Sequence, residues 1–163
     1  MRTAHTPRFL ATLAITCALA LACTKHEATS DTPPATAPDP CSLISTDDLK
    51  RITGAPLREG ESGGDEKSVH RCVWQEGGEA GAGSITVAIH VTNLEPLLGQ
   101  LRNVPMNEPV AGIGDEAFWS NALNQLTVHA GQRVIVISFN SSGGAADHKA
   151  AAIEIAKIIL NGL

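Results

Sequence analysis

Four cysteines carry the most distinctive chemistry in this sequence of 163 residues. A cysteine can be lipidated, oxidised to a disulfide or used as a metal ligand, and its position and surroundings indicate which. Cys17 lies within an apolar run near the amino terminus that has the character of an export signal. Cys23 comes directly after Ala20-Leu21-Ala22, which places small residues at a cleavage point. We predict that Cys17 is removed with the signal and that Cys23 is lipidated.

The first 22 residues have the layout of a lipoprotein signal peptide. Arg2 and Arg8 provide the positive start, and residues 9–21 provide the apolar run. This run is shorter than the about 20 residues that cross a bilayer. Cleavage before Cys23 leaves that cysteine at the mature amino terminus, where palmitate and other acyl chains anchor a protein stably once two are attached. A free secreted protein cut at the same point is the alternative.

The residue after Cys23 bears on the destination of the protein. Thr24 occupies that position, so the aspartate that indicates retention in an inner membrane is not there. We expect an extracytoplasmic, membrane-anchored lipoprotein, in the outer membrane if the cell has one and otherwise in the cell membrane. The membrane is then the first partner of the protein, through the acyl chains on Cys23.

Cys41 and Cys72 remain after processing, in a compartment where disulfides persist. Because no other cysteine competes, we predict that they pair with each other. Closing a loop of about 30 residues contributes on the order of 3.5 kcal/mol in the chain-entropy model. Two separate buried thiols are one alternative. A metal site that includes His70 is another, although the chain lacks a closely spaced ligand pair such as C-x-x-C.

The charge of the chain excludes one class of partner. Its 12 Lys and Arg residues stand against 17 Asp and Glu residues. Removal of Arg2 and Arg8 with the signal leaves 10 against 17, which gives the mature protein a net charge of −7. An acidic protein gains nothing from attraction to phosphates, so we expect no nucleic-acid partner.

Two histidines are candidates for a ligand or metal site. His90 and His129 each fall at a polar position of a predicted strand, so on neighbouring strands the two rings could meet on the open face of a sheet. Imidazole is a common metal ligand and titrates near neutral pH. We therefore consider a metal-binding or pH-sensing site at these two residues, although the sequence specifies neither a metal nor a cofactor.

Other motif-like stretches point to structure rather than catalysis. Gly112-x-Gly114-x-x-Ala117 has the spacing of a dinucleotide fingerprint, but a proline-bearing loop precedes it where a strand is required. Asp147 and His148 are adjacent, with Ser141 nearby, yet neighbours on a helix point in different directions and do not make a triad. We find no nucleophile elbow and predict no catalytic residue.

Composition and hydrophobic pattern divide the chain into three parts. Residues 1–22 form the signal peptide, residues 23–40 the lipidated cysteine with a proline-rich tether, and residues 41–163 a single extracytoplasmic domain. The tether contains no large apolar residue, so it cannot bury enough surface to offset its chain entropy.

Within the domain, the spacing of apolar residues predicts an α+β fold. It indicates helices over residues 46–53, 93–102 and 146–160, and strands over residues 71–75, 84–92, 125–130 and 133–140, with a further strand through residues 118–119. Residues 59–66 are acidic and interrupted by glycine, which favours a flexible loop. Strands in which apolar and polar residues alternate have one face packed on the core and one face partly exposed to solvent. We therefore expect an antiparallel sheet of about five strands with helices packed mainly on one face.

Three short motifs carry a resemblance to a known family. They are Pro40-Cys41-Ser42-Leu43-Ile44 before a short helix, Cys72-Val73-Trp74, and the glycine motif from Gly112 to Ala117. From Pro40 onwards, the chain resembles the small bacterial lipoproteins of the domain of unknown function 3558 type. This resemblance implies a membrane-anchored α+β domain with a Cys41–Cys72 bridge, and it implies no catalytic residues.

The sequence favours a non-enzymatic binding or interaction module of the cell envelope, with another envelope protein as a candidate partner. We expect its site on the open sheet face around His90 and His129, or in the loop before Gly112. An envelope hydrolase, or an inhibitor of a secreted or cell-wall enzyme, is the alternative. A hydrolase requires polar groups that converge in a cleft.

Overall fold

The computed structural model describes residues 36–78, 83–104, 107–141 and 147–163. Along these residues the elements are α1 (Pro40–Leu43), α2 (Thr46–Thr53), β1 (Glu61–Asp65), β2 (Val69–Gln75), β3 (Ser84–His90), α3 (Leu94–Arg102), β4 (Asn107–Pro109), β5 (Glu116–Ser120), β6 (Gln125–Ala130), β7 (Arg133–Asn140) and α4 (His148–Asn161). The predicted signal peptide, Cys23 and most of the predicted tether lie outside the described residues. None of the described helices is long and apolar enough to cross a membrane.

The seven strands form one antiparallel sheet in the order β1-β2-β3-β7-β6-β5-β4. The α+β class and the antiparallel sheet are confirmed, but the predicted number of about five strands is too low. The sequence pattern misses the two edge strands. β1 reads ESGGD, and two glycines without an apolar residue give no strand signal. β4 has three residues and ends in Pro109, which suits an edge position.

One face of the sheet carries most of the hydrophobic core. Strands β2, β3, β7, β6 and β5 direct alternating buried residues to this face, namely Cys72, Trp74, Ile85, Val87, Ile89, Ile135, Ile137, Phe139, Leu126, Val128, Ala117 and Trp119. Helices α1, α2 and α4 share this core, and α4 packs on β6 and β7. Each fully buried aliphatic side chain contributes about 1.5–3 kcal/mol, so this face supplies most of the driving force for folding.

Helix α3 packs against the opposite face. Arg102 of α3 pairs with Glu116 of β5, which alternates along its strand with the core residue Ala117. Leu98 of α3 is fully buried outside the main core cluster. The prediction of one-sided helix packing is therefore wrong for α3. The reason lies in β7, where Val134 is apolar and fully buried on this second face, so both faces of the strand need cover.

The predicted helix over residues 46–53 is confirmed, and local signals determine both of its ends. Ser45 precedes it, and the hydroxyl oxygen of this residue accepts a hydrogen bond from the Asp48 N–H at 3.1 Å. Asp47 and Asp48 in the first turn complement the helix dipole. Gly54 ends the helix in the left-handed conformation, with φ +70°.

Cys41 and Cys72 form the predicted disulfide, which links α1 to β2. The packed structure begins before this bond. Ala37 is 2% exposed, and its N–H donates to a carbonyl in the β1–β2 turn at 2.6 Å. Asp39 caps α1 by accepting from the Cys41 N–H at 2.9 Å. Residues 37–40, which the sequence analysis places in the predicted tether, therefore pack beside the hairpin as part of the folded domain.

The glycine motif Gly112-x-Gly114-x-x-Ala117 is a turn that leads into β5. Gly114 has φ +58°, and a Cβ at this position would collide with the backbone carbonyl of His129. The Asp115 N–H donates to that same carbonyl at 2.8 Å, and the Asp115 carboxylate accepts from the Gly131 N–H at 2.7 Å. The glycine therefore permits close approach to the β6–β7 hairpin, which is the structural role expected for this motif.

Candidate functional site

An open cleft lies between α3 and the adjacent ends of β2 and β3, on the second face of the sheet. Its volume of about 360 Å³ is at the lower end of the range for small-molecule sites. Val69 and His90 come from the sheet, where they are directly opposite each other in the β2–β3 register. The first turns of α3 and the loop before it supply the other wall. Two regular elements therefore hold the geometry of the cleft.

The cleft is lined by uncharged and weakly basic residues. Hydroxyl, amide and imidazole groups come from Ser68, His90, Thr92, Asn93 and Gln100, and apolar surface comes from Val69, Pro96 and Leu97. These lining residues include no lysine, arginine, aspartate or glutamate. Such a surface can hydrogen-bond a neutral polar ligand and contact its apolar parts, whereas it offers an ionised ligand no compensating charge.

His90 is the titratable residue of the cleft lining. Partial burial lowers the pKa of its imidazole below the ordinary value of 6.5, and within the described part of the chain neither a charge nor a hydrogen-bond partner contributes to this shift. The ring is therefore neutral at pH 7, with one nitrogen as a hydrogen-bond donor and the other as an acceptor. A ligand in the cleft can use either nitrogen.

We expect His90 to make the folded protein less stable at mildly acidic pH. In the unfolded chain its imidazole takes up a proton near pH 6.5, whereas burial delays protonation of the folded chain to lower pH. The unfolded state then binds more protons, so the free energy of unfolding falls as the pH decreases below about 6.5. Urea unfolding between about pH 7.5 and about pH 5 measures this fall. His90→Gln is the reference, and an equal pH dependence of both proteins would contradict the prediction.

The loop that enters α3 places an amide in the cleft. Asn93 occupies the N-cap position with φ +54°, a left-handed conformation that asparagine tolerates better than most residues. An N-cap asparagine ordinarily accepts a hydrogen bond from the first helical turn. The Asn93 side chain makes no such bond and lines the cleft instead. Within the described part of the chain, no cap hydrogen bond engages this amide, so it is available to a ligand.

The structure does not bring His90 and His129 together. Both lie on the second face, but β7 separates their strands and Val134 is opposite each of them. Two strand spacings put their backbones about 10 Å apart. The Nε2 atom of His129 lies 3.0 Å from the Gly131 carbonyl oxygen, to which it donates. Among the described residues, no group of three metal-ligating side chains converges anywhere.

The loop before Gly112 was the other expected location of a site. Part of it is β4, where the Glu108 carboxylate accepts from the Lys149 ammonium at 2.5 Å and from the Asn121 amide at 2.7 Å. These two hydrogen bonds lower the pKa of Glu108. The carboxylate therefore holds the sheet edge to the start of α4. Residues 105 and 106 lie outside the described residues.

Ser141 and His148 are hydrogen-bonded, with 3.2 Å between the hydroxyl oxygen and Nε2. The His148 ring also stacks on Phe139, with ring centroids 4.8 Å apart. Asp147 does not orient this ring, because its carboxylate accepts from the Ala150 N–H and caps α4. The pair therefore joins the end of β7 to the start of α4. Ser142, which the sequence places next to this pair, lies outside the described residues.

A second serine–histidine pair was missed by the sequence analysis. The Ser62 hydroxyl oxygen lies 3.0 Å from Nε2 of His70, on the neighbouring strands β1 and β2. Gly60-Glu61-Ser62-Gly63-Gly64 has the G-x-S-x-G spacing of hydrolases, which was the available signal. Its context differs, since Ser62 lies on an edge strand rather than at a strand–helix turn.

The fold and the cleft together define a small α+β domain with a ligand-sized recess on one sheet face. No protein-family model, curated protein or solved structure matches this chain. Function in such a domain has to be inferred from the geometry and chemistry of its sites, because fold alone does not determine activity.

Proposed function

We propose that the mature protein is a lipid-anchored, extracytoplasmic binding module of the cell envelope. In this proposal, acyl chains on Cys23 hold the protein at the membrane, and the following residues tether the domain. The lipoprotein layout of the first 22 residues supports the anchor. The Cys41–Cys72 disulfide supports an oxidising compartment. The resemblance to lipoproteins of the domain of unknown function 3558 type agrees with both.

The cleft beside α3 is the observation that supports a binding function. The mature chain carries a net charge of −7, yet every residue that lines the cleft is neutral at pH 7. Hydroxyls, amides and an imidazole next to apolar surface suit a small neutral ligand that has hydroxyl or amide groups, such as a short saccharide or a capped peptide. An envelope protein that presents such a group is the corresponding macromolecular partner, and nucleic acid is disfavoured by charge.

Nuclear magnetic resonance titration of the isotope-labelled protein tests this function. N-acetylglucosamine, a neutral disaccharide and an acetylated dipeptide amide are the probes. We expect the His90 ring and the side-chain amides of Asn93 and Gln100 to shift, with dissociation constants on the order of 1 mM for such small fragments. The His129 ring, on the other side of β7, is expected to keep its position in the spectrum.

A matched pair of variants separates the cleft from the remaining surface. Gln100→Trp places a large side chain at an exposed position of α3 that lines the cleft, and we expect it to weaken binding at least about tenfold by filling the recess. Gln132→Trp adds the same side chain at the exposed β6–β7 turn and is expected to leave binding unchanged. The proposal fails if no probe shifts the cleft residues, or if both tryptophan variants bind equally well.

A further inference from the structure

Ser62 and His70 form a pair that is separate from the cleft. In the β1–β2 register, Ser62 is opposite Cys72 and Gly64 is opposite His70, so the serine and the histidine are diagonal neighbours on one face. Gly64 has φ +102°, and a Cβ there would collide with the backbone of β2. No side chain opposite His70 therefore separates its ring from the Ser62 hydroxyl.

The surroundings of His70 determine which ring nitrogen carries the proton. Nδ1 lies 3.4 Å from the backbone carbonyl oxygen of Ala37, which can only accept a hydrogen bond. A neutral ring that donates to this carbonyl carries its proton on Nδ1, which leaves Nε2 to accept from the Ser62 hydroxyl. This is the tautomer that a general base needs beside a hydroxyl nucleophile.

A carboxylate stands beside the same nitrogen. The Asp39 Oδ1 atom lies 4.0 Å from Nε2 of His70. Its position is maintained by the hydrogen bond from the Cys41 N–H that caps α1. A proton that moves from Ser62 to Nε2 would create an imidazolium within ion-pairing distance of this negative charge.

The hydroxyl is open to an approaching substrate. Ser62 is exposed on the edge strand of the sheet, and its neighbours Gly60, Gly63 and Gly64 carry no side chains. His70 is more enclosed, with 21% of its side chain accessible. The hydroxyl can therefore reach an external carbonyl group, while its hydrogen-bonded partner His70 stays partly enclosed.

We propose that Ser62 is the nucleophile and His70 the general base for cleavage of carboxylic esters. As the bond from Oγ to the carbonyl carbon forms, the serine proton moves to Nε2, and it then passes to the leaving alkoxide as the ester C–O bond breaks. Water attacks the acyl-serine with His70 again as base, which releases the carboxylic acid and restores the hydroxyl. Esters are the substrate class because an alkoxide leaves more readily than an amine.

The full-length chain and two probes test this activity. A fluorophosphonate forms an Oγ–P bond with an activated serine and releases fluoride, and p-nitrophenyl acetate reports ester cleavage by colour. We expect peptide mass spectrometry to locate the fluorophosphonate on Ser62. Ser62→Ala abolishes the labelling and the serine-dependent cleavage, while His70→Gln lowers both rates by about 100-fold, the scale of general-base catalysis.

The other serine–histidine pair provides a matched control. Ser141→Ala removes the hydrogen bond to His148 and is expected to leave labelling and cleavage unchanged. Because Ser62 is exposed, Ser62→Ala should unfold at the same temperature as the parent, which separates loss of the nucleophile from loss of the fold. The proposal is overturned if Ser62 is not labelled, or if His70→Gln reacts as fast as the parent.

Discussion

Removing the Cys41–Cys72 disulfide lowers the free energy of unfolding by about 3.5 kcal/mol, a large part of the roughly 5–15 kcal/mol that stabilises a small domain. The bond joins residues 31 positions apart, so its loss frees a long loop in the unfolded chain. Cys72 is also fully buried. The double variant Cys41→Ala/Cys72→Ala, unfolded in urea beside the parent, measures the loss.

Ser42→Ala is the control for this prediction. Ser42 is exposed beside Cys41, and its hydroxyl donates to the Asp39 carbonyl at 2.7 Å. Losing this one exposed hydrogen bond costs at most about 1 kcal/mol. Reducing the parent protein should reproduce the stability of the double alanine variant. A loss below about 1 kcal/mol on removing the disulfide would contradict this prediction. It would show that the bond does not reduce the conformational entropy of the unfolded chain by the expected amount.

The elements that the sequence predicted well have strong local signals. The helix over residues 46–53 has a serine cap and a glycine stop, and the hairpin strands β6 and β7 match their predicted bounds. Such features depend on residues that are close together in the sequence, so the sequence alone predicts them. Strand β1 has no local signal of this kind, because ESGGD forms a strand only by pairing with β2. Its existence is a property of tertiary structure.

Strand order explains why the cleft lies beside His90 and α3 and not between His90 and His129. Periodicity places His90 and His129 correctly at polar strand positions, but it does not tell which strands are neighbours. The chain inserts β7 between β3 and β6, so the histidines do not meet. His90 instead faces the start of α3. The sequence had predicted helices mainly on the other face of the sheet. The cleft therefore follows from the second apolar face of β7 rather than from any motif.

The Ser62–His70 pair also depends on strand pairing that the sequence does not reveal. The G-x-S-x-G spacing is visible in the sequence, but its partner is eight residues away across a hairpin that was not predicted. Only the β1–β2 register shows that the two side chains are diagonal neighbours. The chemical role of a motif can be inferred only when the elements that position its residues are known.

Replacing Cys23 with serine should detach the protein from the membrane. The predicted lipid attachment requires a cysteine sulfur, and each buried methylene of an acyl chain contributes about 0.8 kcal/mol to membrane binding. Two long chains therefore contribute on the order of 20 kcal/mol, which a single hydroxyl cannot replace. We expect the parent protein to sediment with membranes and to carry the mass of its acyl chains, and Cys23→Ser to be found in the non-membrane fraction without them.

Cys17→Ser distinguishes lipidation of Cys23 from a general effect of losing a cysteine near the amino terminus. Cys17 lies inside the predicted signal peptide, so its replacement should leave the acylated mature protein unchanged. Incorporation of labelled palmitate, followed by mass spectrometry of the amino-terminal peptide, reports on both variants. A parent protein with an unacylated Cys23, or a Cys23→Ser variant that still incorporates palmitate at its amino terminus, would contradict the anchor. Either result would leave the proposal of a binding cleft unaffected, because the residues that line the cleft lie more than forty positions from Cys23.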